Sequence, residues 1–243
     1  MAETHPLKTL QHLPKMVGIT KETSRFLRLK TFIYMLRHDK NRIFKRYFLK
    51  HLIKYTWNIL KSYAKKKSFV RDGDFFLYNL SSLDEFQKFT NVPLAVVGFS
   101  YCHKPLECPS GRFTDQCIHD EKHPVCGQCF IGKTIHALPT KNVQVIMVVT
   151  IHQLGEEFCK LLETYKPEDM IFLITGCELV LEMFGDWGNM LNLRGVGIRL
   201  DGRICNNIKA LTLAEIGIKP GLTVVRDETQ TKILELIQLL RRE

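Results

Sequence analysis

Residues 143–177 read VQVIMVVTIHQLGEEFCKLLETYKPEDMIFLITGC, and this stretch decides the fold. Val143–Thr150 and Met170–Thr175 are short, nearly continuous apolar runs, the pattern of strands buried on both faces. The residues between them predict a helix from about Gly155 to Tyr165. A buried strand, a helix and a second buried strand make the repeating unit of a parallel sheet. Outward from this unit, Leu94–Phe99 predicts another buried strand and Gly195–Leu200 a shorter fourth. A helical stretch near Glu178–Phe184 follows the third strand, and a last helix from about Asp227 turns Ile233, Leu236, Ile237 and Leu240 inward. Ser82-Leu-Asp-Glu85 has capping-box spacing and opens a short helix through Phe89. The expected fold class is α/β: a parallel or mostly parallel sheet with flanking helices, plus an N-terminal basic helical segment.

The 243 residues are 45% apolar and 25% charged, which argues against disorder, collagen and small secreted scaffolds. No apolar run reaches the ~18 residues of a membrane-spanning helix. The opening MAETHPLKTL is polar and lacks the apolar stretch of a signal peptide, so a reducing cytoplasmic setting is expected.

Charge divides the chain. Residues 1–70 hold 17 Lys or Arg against Glu3, Glu22 and Asp39, a net +14, whereas the remainder is net −4. The expected organisation is a basic amphipathic helical segment, 1–70, followed by a cysteine-rich α/β domain, 71–243. Asp39 is placed to cap a helix from about Lys40 to Lys65. Its apolar stripe is Phe44, Phe48, Leu52, Tyr55 and Ile59, with Arg42, Arg46, Lys50, Lys54 and Lys61 on another face and Trp57 on the basic side. An earlier helix, about Thr23 to Arg37, carries Phe26, Leu29, Ile33 and Leu36 beside Arg25, Arg28 and Lys30. Lys65-Lys66-Lys67 marks the start of a linker. The plainer reading packs both helices on the main domain with their basic faces in water. The sharper one gives them an anionic partner: an unknown protein, nucleic acid or the surface of an acidic membrane.

Eight cysteines remain to be explained, and five lie between Cys102 and Cys129: Cys102-x5-Cys108-Pro, then Cys117, then Cys126-Gly-Gln-Cys129. In a reducing compartment such a cluster points to metal rather than to disulfides. A Cys-x2-Cys turn lets two thiolates face one ion, and Pro109, Gly111, Pro124, Gly127 and Gly132 suit a loop wrapped on it. Two distant cysteines join by topology. In open α/β sheets the working crevice lies beyond the carboxyl ends of the strands. Cys102, Cys177 and Cys205 each follow a predicted strand closely, so parallel strands bring all three to one edge of the sheet. The candidate metal ligands are thus Cys102, Cys108, Cys117, Cys126, Cys129, Cys177 and Cys205, with Cys102, Cys108, Cys177 and Cys205 assigned to a cofactor. Seven thiolates exceed one four-ligand site, which leaves room for two, with His103, His119 or His123 completing one. The second Cys-x2-Cys knuckle of a zinc ribbon is missing, so an iron–sulfur cluster, of the 4Fe–4S kind, is preferred over zinc.

Other residues invite plainer readings. Cys159 sits mid-helix as a small apolar residue, and His152 reads as a hydrogen-bonded structural histidine. Glu178, Asp201, Arg203 and Asn206 flank the strand-end cysteines as supporting or loop residues. Cys102 and His103 are neighbours, but adjacent side chains on an extended chain point apart, which disfavours a nucleophile pair. The phosphate-loop, dinucleotide, serine-hydrolase and zinc-protease motifs are all absent from the sequence.

The order Cys102-x5-Cys108-Pro, Cys117, Cys126-Gly-Gln-Cys129, then Gly176-Cys177-Glu178 and Gly202-Arg-Ile-Cys205-Asn-Asn207 resembles the bacterial and archaeal family of domain of unknown function 116. The resemblance covers about Pro93 to Pro220 and leaves the basic segment outside. It departs at Ile204, where the family has proline, and at Thr150–Leu154, which lacks the family's glycine-rich turn. What it implies is a metal or iron–sulfur protein of the bacterial cytoplasm, with no reaction attached.

Overall fold

The computed structural model describes residues 15–39 and 41–241, so the opening MAETHPLKTL and Lys40 lie outside the described residues. In chain order the elements are α1 (Lys21–Ser24), α2 (Leu27–His38), α3 (Ile43–Lys50), α4 (Leu52–Ala64), β1 (Val70–Asp72), β2 (Phe75–Tyr78), β3 (Leu94–Ser100), α5 (Pro124–Gln128) and α6 (Phe130–Ala137). There follow β4 (Val143–Val148), α7 (Ile151–Leu161), β5 (Met170–Gly176), α8 (Glu178–Met190), β6 (Gly195–Arg199), β7 (Asp201–Gly202), α9 (Ile208–Glu215), β8 (Thr223–Val224) and α10 (Asp227–Leu240).

Six strands form one sheet in the order β1-β2-β6-β5-β3-β4. β3, β4, β5 and β6 run parallel, while β2 pairs antiparallel with both β1 and β6. The fold is α/β with a mostly parallel sheet, as the buried apolar runs require. The hairpin at the edge goes beyond the sequence reading. Its strands have three and four residues, too few to show a period, and are joined by Gly73-Asp74 with Gly73 at φ +57°.

Alternating strand residues feed two apolar cores. Phe76, Val96, Phe172 and Ile174 enter the one beneath α2, α3, α4, α7 and α8; Leu77, Val97, Leu173 and Val196 enter the other, beneath α6 and α10. At roughly 25 cal/mol per Å² of apolar area removed from water, side chains as large as Phe76 and Phe172 dominate this cohesion.

The helices of the basic segment pack on the sheet. Leu27, Tyr34, Met35, Phe44, Tyr47 and Tyr55 join the same core as Phe158, Phe184 and Trp187. Two details differ from expectation. The single helix over 40–65 is broken at His51 (φ −125°, ψ 34°) into α3 and α4, which leaves Leu52 exposed. Asp39 still caps the first piece, accepting from the N–H groups of Phe44 (3.2 Å) and Lys45 (2.9 Å). The inward side of α2 is Leu27, Thr31, Tyr34 and Met35, so Phe26, Leu29, Ile33 and Leu36 face outward instead. Both candidate stripes have helical period; only packing against α8 selects between them. In the same way, the capping-box residues Ser82 and Glu85 open a 3-10 turn, Asp84–Phe89, and not an α-helix.

Candidate metal centre

The chain leaves β3 to pair with β4 on one side, then crosses back to place β5 on the other. The sheet therefore switches direction between β3 and β5, the place where open α/β sheets hold ligands. Cys102 and Cys177 stand at that point. Ser100, the last residue of β3, caps the short turn Tyr101–His103 by accepting from the Cys102 N–H. Cys177 is the N-cap of α8. Cys205 arrives from the loop after β7, whose end is fixed by Asn207 accepting from the Ala210 N–H at 2.8 Å.

These three thiols, all buried, line one small cavity in the series Cys102, Cys177, Cys205. Lys219 Nζ, 3.2 Å from Cys205 Sγ, closes the series. The bond with Cys177 and then burial push the Cys102 thiol well up. Cys177 also rises: its bond to Cys205 and its burial outweigh the bond from Cys102. Cys205 alone falls, to about 7, because the Cys177 hydrogen bond and the Lys219 ammonium outweigh burial. Burial acts against the charge on Lys219, but the three neighbouring sulfurs hold its proton more firmly than usual. The thiols open on a cavity of about 40 Å³ that also meets Thr150, Leu211 and Glu215. Burial raises Glu215 to about 7, and it accepts a 2.9 Å hydrogen bond from the Ile151 N–H.

The other four cysteines gather separately. Cys108, Cys117, Cys126 and Cys129 line one small cavity within the 104–132 loop, so Cys108 lies with them and not with the strand-end group to which the sequence assigned it. Main-chain N–H groups of Ile131 and Gly132 point at Cys129, that of His119 at Cys117 and that of Asp120 at Cys126, although burial raises all three thiols. The buried Lys104 ammonium donates to the carbonyls of Gly111 (3.2 Å), Thr114 (2.9 Å) and Gln116 (2.6 Å), pinning the loop while placing a positive charge beside the sulfurs. A side chain at Gly132 would put its Cβ 2.5 Å from the Cys126 carbonyl oxygen, so only glycine lets α5 and α6 meet here. Among the described residues, no three His, Cys, Asp or Glu side chains already form a group that could hold a metal ion. Thiols are the donors soft metals take, and seven lie here in groups of three and four, with the buried Lys104 ammonium beside the four and the half-buried Lys219 beside the three.

The histidines divide clearly. His119 lines the four-cysteine cavity. His123 caps α5 through Nδ1, which accepts from the Val125 N–H. His103 is buried against the Phe130 ring and depressed to about 4 by burial. His152 stands 3.5 Å from Asp39 and 3.6 Å from Glu156, away from both cysteine groups. Cys159 is a buried core residue, its thiol raised to about 12 by burial. Glu178 pairs with Arg71 at 2.5 Å, and Asp201 with Lys15 and Arg226, so both serve the frame.

Sequence reasoning missed Lys219 and Arg112. The guanidinium of Arg112 donates to the carbonyls of Cys102 (3.4 Å), Lys219 (3.3 Å) and Gly221, clamping the cysteine loop to the turn that carries Lys219. The available signal was the turn itself, Gly217-Ile-Lys219-Pro-Gly221, whose glycines and proline hold the lysine half-buried against the cysteines. No helix among the described residues is long and apolar enough to cross a membrane. Searches against protein-family models, curated proteins and solved structures return no match to this chain.

Proposed function

We propose that the chain is an iron–sulfur protein with a redox or enzyme-accessory role, its cluster held at the carboxyl edge of the sheet. The observation that carries this reading is the meeting of Cys102, Cys177 and Cys205, from three separate parts of the chain, at the switch point between β3 and β5. Three buried thiols beside one ammonium suit an anionic, thiolate-ligated cluster better than they suit a bare hydrophobic core. When bound, such a cluster supplies one-electron transfer or a Lewis-acidic iron. The chain's own residues do the rest: Lys219 balances thiolate charge, Arg112 orders the loop backbone, and the apolar walls around the cavity limit water. The group of Cys108, Cys117, Cys126 and Cys129 would hold a second metal, and its four thiols in an irregular loop favour zinc there as readily as iron. The resemblance of the cysteine order to that of the domain of unknown function 116 family supports a metal role. Eight unpaired cysteines support a reducing, cytoplasmic setting.

The test is anaerobic purification with iron, sulfide and zinc analysis and a visible spectrum, on the full chain and on Cys177→Ser, Cys205→Ser and Cys126→Ser. Iron and sulfide together, with absorbance near ~400 nm, are expected. Cys177→Ser and Cys205→Ser should remove the cluster, and Cys126→Ser should remove the second metal. A colourless protein with zinc alone, unchanged in Cys177→Ser and Cys205→Ser, would overturn the reading.

A further inference from the structure

α4 is amphipathic in an unusual sense. It lies on α8 through Tyr55, Asn58, Ile59 and Ser62, with Asn58 donating to the Met190 carbonyl at 3.0 Å and Ser62 to Asp186 at 2.6 Å. At ~100° per residue, the pole opposite this contact carries Ile53, Trp57 and Leu60. That pole of a surface helix is normally polar. Here Ile53 is 87% exposed, Trp57 58% and Leu60 57%, and Leu49 at the end of α3 adds a fourth exposed apolar side chain. The rim is basic: Lys50, Lys54, Lys61, Lys65 and Lys66 are all exposed, and Lys61 Nζ stands 5.3 Å from the centre of the Trp57 ring. Between residues 40 and 69 there are ten Lys or Arg and no Asp or Glu.

Each occupant must satisfy both features. A second copy would set one strongly basic segment against another, and like charges repel. Nucleic acid would satisfy the lysines but leave Ile53, Leu60 and Leu49 without an apolar partner. The surface of an anionic bilayer satisfies both, with phosphates for the lysine rim and an acyl boundary for the aliphatic pole, where tryptophan also settles. We propose that the outer face of α4 docks the protein on anionic phospholipid, with Ile53, Trp57 and Leu60 entering the headgroup boundary. This rests on exposure and charge alone and is independent of the metal centre.

The test is co-sedimentation of the full chain with phosphatidylcholine vesicles with and without phosphatidylglycerol, at low and physiological salt. Binding to the anionic vesicles only is expected, weakened by salt and reduced at least ~tenfold in Ile53→Ser/Trp57→Ser/Leu60→Ser and in Lys54→Glu/Lys61→Glu. Trp57 emission should shift to the blue on those vesicles while the buried Trp187 stays constant, so that Trp57→Phe abolishes the shift. This spectral change keeps the proposal testable should the triple variant misfold. Absence of binding at low salt, or binding that the serine variant keeps, would overturn it. So would duplex RNA or DNA bound equally by wild type and serine variant with vesicles left untouched, and so would self-association through this face.

Discussion

Replacing Lys219 with methionine isolates the charge that sets the strand-end cysteines apart. The Cys205 thiol is lowered from the ordinary 9 to about 7, which favours its thiolate by on the order of 2–3 kcal/mol. The Cys177 hydrogen bond is the larger cause of the lowering and the Lys219 ammonium 3.2 Å away the next, both acting against burial. In Lys219→Met, Cys205 should titrate higher than in wild type, and its thiolate share at neutral pH should fall well below about half. The assay is ultraviolet thiolate absorbance against pH on reduced, metal-free protein, with Cys205→Ser as the blank that identifies the signal. Stability carries the same information. A thiol depressed in the folded state contributes stability that is complete above its unfolded pKa of 9 and is lost as pH falls through about 7. Lys219 stays charged across this window because its own proton is held above the ordinary 10.5. Denaturant unfolding should therefore show wild type gaining on the order of 2 kcal/mol between those limits relative to Cys205→Ser, and Lys219→Met gaining less. A Lys219→Met midpoint within ~0.3 unit of wild type would refute the assignment of Lys219 as counter-ion to Cys205.

Glu215 should show the opposite slope. Its carboxyl is raised by burial from 4.5 to about 7, so its contribution is complete below 4.5 and lost as pH rises through 7; Glu215→Gln should stabilise the fold at alkaline pH by about 2–3 kcal/mol and flatten that limb, read by urea unfolding. Gly132→Ala drives a methyl into the Cys126 carbonyl and should cost about 1–3 kcal/mol in thermal unfolding while lowering bound metal, whereas Gly127→Ala, with its nearest contact at 3.4 Å, should cost less. Asp39→Ala removes the acceptor for two N–H groups of α3 and should cost about 1 kcal/mol, with faster amide exchange confined first to Phe44 and Lys45.

The parts of this fold legible in the sequence are those where burial acts on both faces. Leu94–Phe99 and Met170–Thr175 declare themselves because a central parallel strand has no polar side to confuse the pattern, whereas Val143–Val148, at the sheet edge and buried only over its second half, is read from its apolar run alone. Glu178 and Asp227 start helices close to where the spacing places them, although α8 runs on to Met190. What was hidden depends on partners. The face of α2 is chosen by Trp187 and its neighbours on α8, not by anything within Leu27–His38, and the break at His51 reflects two packing directions that one helix cannot serve. The β1–β2 hairpin is too short for periodicity, and α9 and the β7–β8 pair occupy the stretch around Cys205 and Lys219 that reads as loop. In the site, sequence spacing located every cysteine of interest and topology located the edge. It grouped Cys108 with Cys102, whereas the two line different cavities, because a spacing of six residues says nothing of the turn at Lys104 between them.

That turn also explains why seven thiols divide as three and four. Cys108, Cys117, Cys126 and Cys129 lie within a span short enough to close on itself, and the internal ammonium of Lys104 supplies the bonds such a loop cannot draw from strands or helices. Cys102, Cys177 and Cys205 are distant in sequence and meet only once β3, β5 and β6 have paired, so their geometry reports the whole sheet. Arg112 joins the two regimes. It sits in the loop, yet its guanidinium holds the carbonyls of Cys102 and of the Lys219–Gly221 turn, so the loop cannot shift without moving the backbone behind the strand-end thiols. A metal that orders the four-cysteine loop would therefore also steady the three-cysteine group, through packed main chain and without any shared ligand.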